Sequence, residues 1–154
     1  MIGQRILVPT DFSDASTEAL REACRLAKAA GGKVHVLHVL DPGVFFDTDL
    51  VQLTPLDDVA TAMRKVAQKR MREQVASLNM EVSTHIEEAI GDPSRAICTF
   101  AEGLPADLIV IGRHGMQGAL EHFLIGSTAE RVVRHATCSV LVIMPRHDEA
   151  RART

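Results

Sequence analysis

Five short apolar runs, Ile6–Pro9, Val34–Val39, Glu81–Ile86, Leu108–Ile111 and Ser139–Met144, recur along the chain with a helix-period segment between each and the next. The first, Ile6-Leu7-Val8-Pro9, is continuous where a half-wetted strand would alternate, which marks a parallel strand covered on both faces. Glu81–Ile86 alternates more and belongs nearer a sheet edge. Strand and helix repeated in turn predict an α/β fold: a doubly wound five-stranded parallel sheet with helices on both faces. Such sheets bind ligands at the carboxyl ends of their strands, where strand order reverses. The ends of the first, second and fourth strands, near Pro9 to Asp11, Val39 and Gly112, are therefore expected to be neighbours.

The helical segments carry their own boundaries. Ser13 or Asp14 can cap a helix with the apolar stripe Ala15, Ala19, Leu20, Ala23, Cys24 and Ala27, and Gly31-Gly32 stops it. From Leu56 or Asp57 to Leu78 the stripe is Val59, Met63, Val66, Ala67, Met71, Val75 and Leu78. Its opposite face, with Arg64, Lys65, Lys69, Arg70 and Arg72, reads as a solvated face in preference to a surface for acidic partners. Asp92 is an N-cap with Pro93 at the first helical position, where a missing N–H costs nothing, and that helix ends at Gly103. The last helix, Ser127 to His135, turns Val132 and Val133 inward. Between the second strand and second helix, Val44 to Pro55 carries Phe45, Phe46, Leu50, Val51 and Leu53, too apolar for an idle loop. It is a flap over the site, a partner surface, or a cover for one end of the core. One domain spans residues 1–146, and 147–154 is a polar tail.

The chemistry concentrates where Leu108–Ile111 stops at Gly112. Gly115, Gly118 and Gly126 follow before Ser127 and Thr128. Glycine turns without a Cβ clash and lets main-chain N–H groups approach a ligand. A helix starting near Ser127 adds its unpaired N–H groups and positive dipole end, so phosphate is the natural guest. Asp11 can accept hydrogen bonds from ribose hydroxyls, and Ser127 and Thr128 can donate to phosphate. Arg113 and His114 are the cationic or switchable groups nearest the loop; neither is a fixed phosphate lysine, because the Walker pattern of glycine followed by Lys-Ser/Thr is missing. The competing reading is a flexible glycine loop in which Asp11 and Ser127 serve as caps and turn formers. Hydrolysis needs a metal clamp and a water-positioning residue; Asp11, His114, Glu121 and His122 stand at no spacing that assigns either role. No catalytic or metal-binding residue is assigned, and a binder is preferred to an enzyme.

Composition narrows the partners. Seventeen basic and twenty acidic residues give a formal charge of −3, so no broad nucleic-acid or anionic-membrane surface is expected. Aromatic residues make up 3% of the chain, with no Trp or Tyr, so the core is aliphatic. Cys24, Cys98 and Cys138 lack zinc or redox spacing and read as small core residues. His35 and His38 fall on opposite faces of a strand and cannot share one metal. No run approaches the ~20 apolar residues of a membrane span, and the apolar run near the N-terminus is too short for a signal peptide. A cytoplasmic protein is expected.

The segments RILVPTDFSDAS, VHVLHVLD, GDPSRAI, DLIVIGRHG and GSTAERVVRHATCSVLVI resemble the universal stress protein family over nearly all of residues 3 to 145. The resemblance implies a homodimer that pairs through its last strand, Val140 to Ile143, and acts as a regulator in the stress response. Similarity to the ATP-binding branch implies ATP, accompanied by Mg²⁺. It also implies a phosphate loop built on Gly112, Arg113, His114, Gly115, Gly126, Ser127 and Thr128, with Pro9, Thr10, Asp11 and Val39 on the adenine and ribose side. Ten residues, Met116 to Ile125, separate Gly115 from Gly126, one more than the family pattern. The extra residue is expected to bulge near Gly118, away from the phosphates. Two alternatives remain: a family member without nucleotide that acts through dimer and partner contacts, and a slow ATPase.

Overall fold

The computed structural model describes residues 1–45, 56–113 and 125–144. Its strands are β1 (Arg5–Pro9), β2 (Lys33–Leu40), β3 (Ser83–Glu88), β4 (Leu108–Gly112) and β5 (Ser139–Ile143). They form one sheet in the order β3-β2-β1-β4-β5, with every pairing parallel. The chain builds outward from β1 through β2 to β3, then returns to the other side of β1 for β4 and β5. Strand order therefore reverses between β1 and β4, which is where such a sheet opens a crevice.

Side-chain alternation divides the core between the two sheet faces. Ile6, Val8, Val34, Val36 and Val110 meet Ala19, Leu20, Ala23 and Ala27 of α1 (Asp14–Ala30) and Met71 of α2 (Leu56–Ala76). Leu7, Leu37, Ile109 and Ile111 meet Ile97, Cys98 and Ala101 of α3 (Pro93–Gly103) and Ala129 and Val132 of α4 (Ser127–His135). Both faces are covered, as the continuous apolar strands required.

Local signals set the element ends. Ser13 caps α1, its hydroxyl accepting from the Ser16 N–H at 3.2 Å; Gly31 closes the helix in the left-handed region at φ 66°. Asp92 caps α3 by accepting from the Ser94 N–H at 3.0 Å, with Pro93 in the first turn. At the amino end of the sheet, the Asp107 carboxylate accepts from the main-chain N–H groups of Gly3, Gln4 and Arg5 at 2.6, 3.0 and 2.8 Å. It ties the start of β1 to that of β4.

The structure corrects three expectations. The third strand covers Ser83–Glu88, two residues later than the expected Glu81–Ile86, and it is an edge strand as expected. Val133 is 49% exposed although Val132 is fully buried, because neighbours on a helix are about 100° apart and a single narrow stripe faces the sheet. Val66 is 56% exposed; the buried line of α2 is Ala67 and Met71, one turn apart. Within the apolar segment, residues 46–55 lie outside the described residues, as does the 147–154 tail. No helix among the described residues is long and apolar enough to cross a membrane.

Candidate functional site

At the carboxyl ends of β1, β2 and β4 a cleft of about 590 Å³ opens, within the range of small-molecule sites. Pro9, Thr10, Asp11, Val39, Gly112, Arg113, Gly126, Ser127 and Thr128 all line it. Every expected site residue among those described is thus brought to one place. His114, Gly115, Gly118, Glu121, His122 and the anticipated bulge lie outside the described residues.

One wall is the turn after β1. Thr10 is buried; its hydroxyl donates to Gln74 Oε1 of α2 at 2.9 Å, accepts from the Phe12 N–H at 3.0 Å, and lies 3.0 Å from the Ser16 hydroxyl. Asp11 accepts from the Ser13 N–H at 3.0 Å through Oδ1. A carboxylate's two oxygens accept about four hydrogen bonds, so this turn bond is compatible with ligand hydroxyls. His38 Nδ1 lies 2.7 Å from the Thr10 carbonyl. A carbonyl can only accept, so that nitrogen carries the proton. Burial pushes the His38 pKa below its ordinary value, with the Thr10 carbonyl and Asp11 working against it.

The facing wall is the start of α4. Gly126 is its cap residue and supplies no side-chain hydrogen bond, so the first-turn N–H groups keep their capacity for an anion. The Gly126 N–H donates to the Arg113 carbonyl at 2.7 Å, and the Arg113 N–H to the Ile143 carbonyl at 3.0 Å. These two bonds hold the helix start against the end of β4. Arg113 Nε is buried and has no acceptor among the described residues. A buried guanidinium nitrogen without an acceptor is costly, and an anion in the cleft would supply one.

Gly112 has a packing reason beside the expected one. A Cβ there would stand 2.8 Å from the carbonyl carbon of Ala15 and 2.9 Å from its oxygen. The glycine lets α1 pack against β4. Leu37, Val39, Ile97 and Ile111 give the cleft an apolar side, and Ser16, His38, Pro93 and Ala129 complete it. Sequence reasoning placed His38 in packing or hydrogen bonding and did not bring in Pro93 or Ile97. The available signal was the Asp92-Pro93 helix start itself, since a crossover helix follows its strand on the other layer of the sheet.

The remaining chemistry-bearing side chains lie elsewhere. His35 Nδ1 is 3.2 Å from His85 Nε2 on β3, on the face opposite His38. Among the described residues no group of three or more His, Cys, Asp or Glu could hold a metal ion. Cys24 and Cys98 are buried, Cys138 is half-buried, and all are free thiols. Burial raises the pKa of each, which keeps them protonated and unreactive.

Comparisons with known proteins agree with this fold. A model of the universal stress protein family matches residues 3–144. A universal stress protein of Methanocaldococcus jannaschii is 37% identical over 146 residues, covering 91% of this chain and 81% of its own. The solved universal stress protein UspA from Lactobacillus plantarum has a TM-score of 0.70 at 31% identity, over 94% of this chain and 99% of that one. The universal stress protein from Archaeoglobus fulgidus in complex with dAMP has a TM-score of 0.60 at 27% identity, over 94% of this chain and 100% of that one. The chain belongs to the universal stress protein family.

Proposed function

We propose that this protein binds ATP in the cleft between β1 and β4 and acts in the stress response as a regulatory homodimer. The observation that carries the reading is convergence: the Asp11 turn and the uncapped start of α4, with Arg113 beside it, line one cleft. Asp11 accepts from ribose hydroxyls. Leu37, Val39 and Ile97 offer the base an apolar wall. Ser127, Thr128 and Arg113 take the phosphates, where the α4 dipole favours negative charge. The dAMP complex of the Archaeoglobus fulgidus relative supports an adenine nucleotide as the class of ligand. Mg²⁺ fits as an ion that arrives with the triphosphate, since no acidic cluster among the described residues would hold it alone. Homodimerisation runs through the open edge of β5.

Calorimetric titration with ATP and magnesium should show saturable binding. A Ser127→Ala/Thr128→Ala variant should bind about tenfold or more weakly, as expected for lost hydrogen bonds to a charged group. No saturable heat, together with no nucleotide released on denaturing the purified protein, would overturn the reading.

A further inference from the structure

The turn that presents Asp11 is held in an unusual shape. Phe12, its immediate neighbour, has φ 64°, a left-handed conformation that bulky side chains rarely adopt. Such a backbone persists where its surroundings over-determine it, and here a set of hydrogen bonds and ring contacts does so. The Phe12 N–H is bonded to the Thr10 hydroxyl at 3.0 Å. That hydroxyl is anchored to Gln74 of α2 at 2.9 Å, and the Gln74 amide in turn donates to the Thr17 hydroxyl of α1 at 3.0 Å. The Thr10 carbonyl is held by His38 Nδ1 at 2.7 Å. The Phe12 ring packs on the His38 ring with centroids 4.4 Å apart, and the Arg70 guanidinium of α2 lies 5.9 Å from its centroid.

Three elements therefore grip a single turn: β2 through His38, α1 through Ser16, whose hydroxyl lies 3.0 Å from that of Thr10, and α2 through Gln74 and Arg70. Asp11 sits between the two gripped residues, Thr10 and Phe12, and faces the cleft. We propose that His38 and Gln74 are positioning residues, which fix the Asp11 carboxylate for ribose recognition by clamping Thr10 and Phe12 on either side of it. This inference rests on the adenine-nucleotide reading of the cleft, and it adds the source of ribose selectivity. His38 works through two separable features, a donor at Nδ1 and a ring face. Asparagine keeps a donor at nearly the same place and loses the ring; phenylalanine keeps the ring and loses the donor.

Two measurements test the clamp. The first needs no nucleotide: amide hydrogen exchange at Phe12 and Ser13, whose N–H groups are bonded within the turn, should be at least tenfold faster in His38→Phe than in the wild-type protein. The second titrates ATP against 2′,3′-dideoxy-ATP. Wild-type protein should prefer ATP, His38→Phe should lose most of that preference while still binding, and His38→Asn should restore much of it. Gln74→Leu, which frees the Thr10 hydroxyl from the other side, should behave like His38→Phe and serves if that variant does not fold. Unchanged exchange in both His38→Phe and Gln74→Leu overturns the clamp whether or not nucleotide binds. Faster exchange with an unaltered ATP preference overturns its role in ribose recognition. Failure of the wild-type protein to bind either nucleotide removes the ATP reading and leaves the exchange result to decide the clamp.

Discussion

Gly112 ends β4 at the point where the first turn of α1 presses closest to the sheet. Its missing side chain is what that contact requires, because an added Cβ would fall 2.8 Å from main-chain carbon and 3.0 Å from the Ala15 side chain. Main chain cannot swing aside as a long side chain can, so the helix or the strand must move. Gly112→Ala should therefore destabilise the nucleotide-free protein by about 1–3 kcal/mol, the usual range for overpacking a tight contact. Urea denaturation measures this, and an unchanged midpoint would show that α1 yields freely. At this scale the chain was half legible. The glycine's position was plain in the run DLIVIG, but a glycine in sequence does not say whether a ligand or a neighbouring helix needs the space. Asp11 poses the same ambiguity: it forms the turn bond to Ser13 that a structural reading expects, and it lines the cleft that a ligand reading expects. Thr10 was placed at the site, but its link to Gln74 spans 64 residues, and no local pattern encodes a pairing at that distance.

Strands β2 and β3 lie side by side in parallel register, with Leu37 opposite His85 and His35 opposite Ser83, and together they carry three histidines. All three have pKa values pushed below the ordinary 6.5. For His35 the main cause is burial, followed by the neighbouring His85 and the cations Lys33 and Arg5. For His85 it is burial, opposed by Glu87; for His38 it is burial, opposed by the Thr10 carbonyl and Asp11. The unfolded chain takes up these protons as pH falls through about 6.5, while the folded chain resists until lower pH. In that window the unfolded state binds more protons, so stability declines as pH falls. The unfolding free energy should be level between about pH 7 and 8, where neither these histidines nor the buried thiols titrate in the unfolded chain, and should drop as pH falls below about 6.5. His85→Phe should flatten part of that slope by relieving His35 of its charged neighbour. Denaturation curves across this range, with the same midpoint throughout, would contradict the assignment. The period-2 rule separated His35 from His38 correctly. What it could not supply was His85 as the partner of His35, since that contact depends on which strand lies beside β2 and in what register. The helices show the converse: caps at Ser13 and Asp92 were readable because they are local, whereas the orientation of Val66 and Val133 was set by the sheet beneath.

Over the whole molecule, the two open edges of the sheet differ in chemistry. At one edge β3 ends in Glu87 and Glu88, both exposed, and charge on an edge strand discourages pairing with another chain. At the other edge β5 reads Ser-Val-Leu-Val-Ile with no charge. Leu141 is 36% exposed there and Met144 55%, and α4, packed beside the strand, exposes Val133. The Ile143 carbonyl points toward β4, where it accepts from Arg113. By the alternation of a strand, the main-chain groups of Val140 and Val142 point outward, away from β4, and have no strand among the described residues to pair with. An apolar, uncharged edge of this kind is the surface a second copy would pair with, and the two-fold version of that contact closes without leaving a further β5 edge. That β5 rather than β4 is outermost is an outcome of the strand order and is not written in the composition of either strand, since Leu108–Ile111 and Val140–Ile143 are both short, uncharged apolar runs. In the proposed homodimer, Leu141→Lys should place two like charges at the joint and favour monomer at micromolar concentration, weakening association at least about tenfold. Because Leu141 is already partly exposed, the monomer should keep its helical signal and its denaturation midpoint to within the loss of the dimer contribution. Sedimentation equilibrium on both proteins separates the outcomes: a wild-type monomer, or a Leu141→Lys protein that associates as strongly as wild type, would remove β5 as the pairing edge.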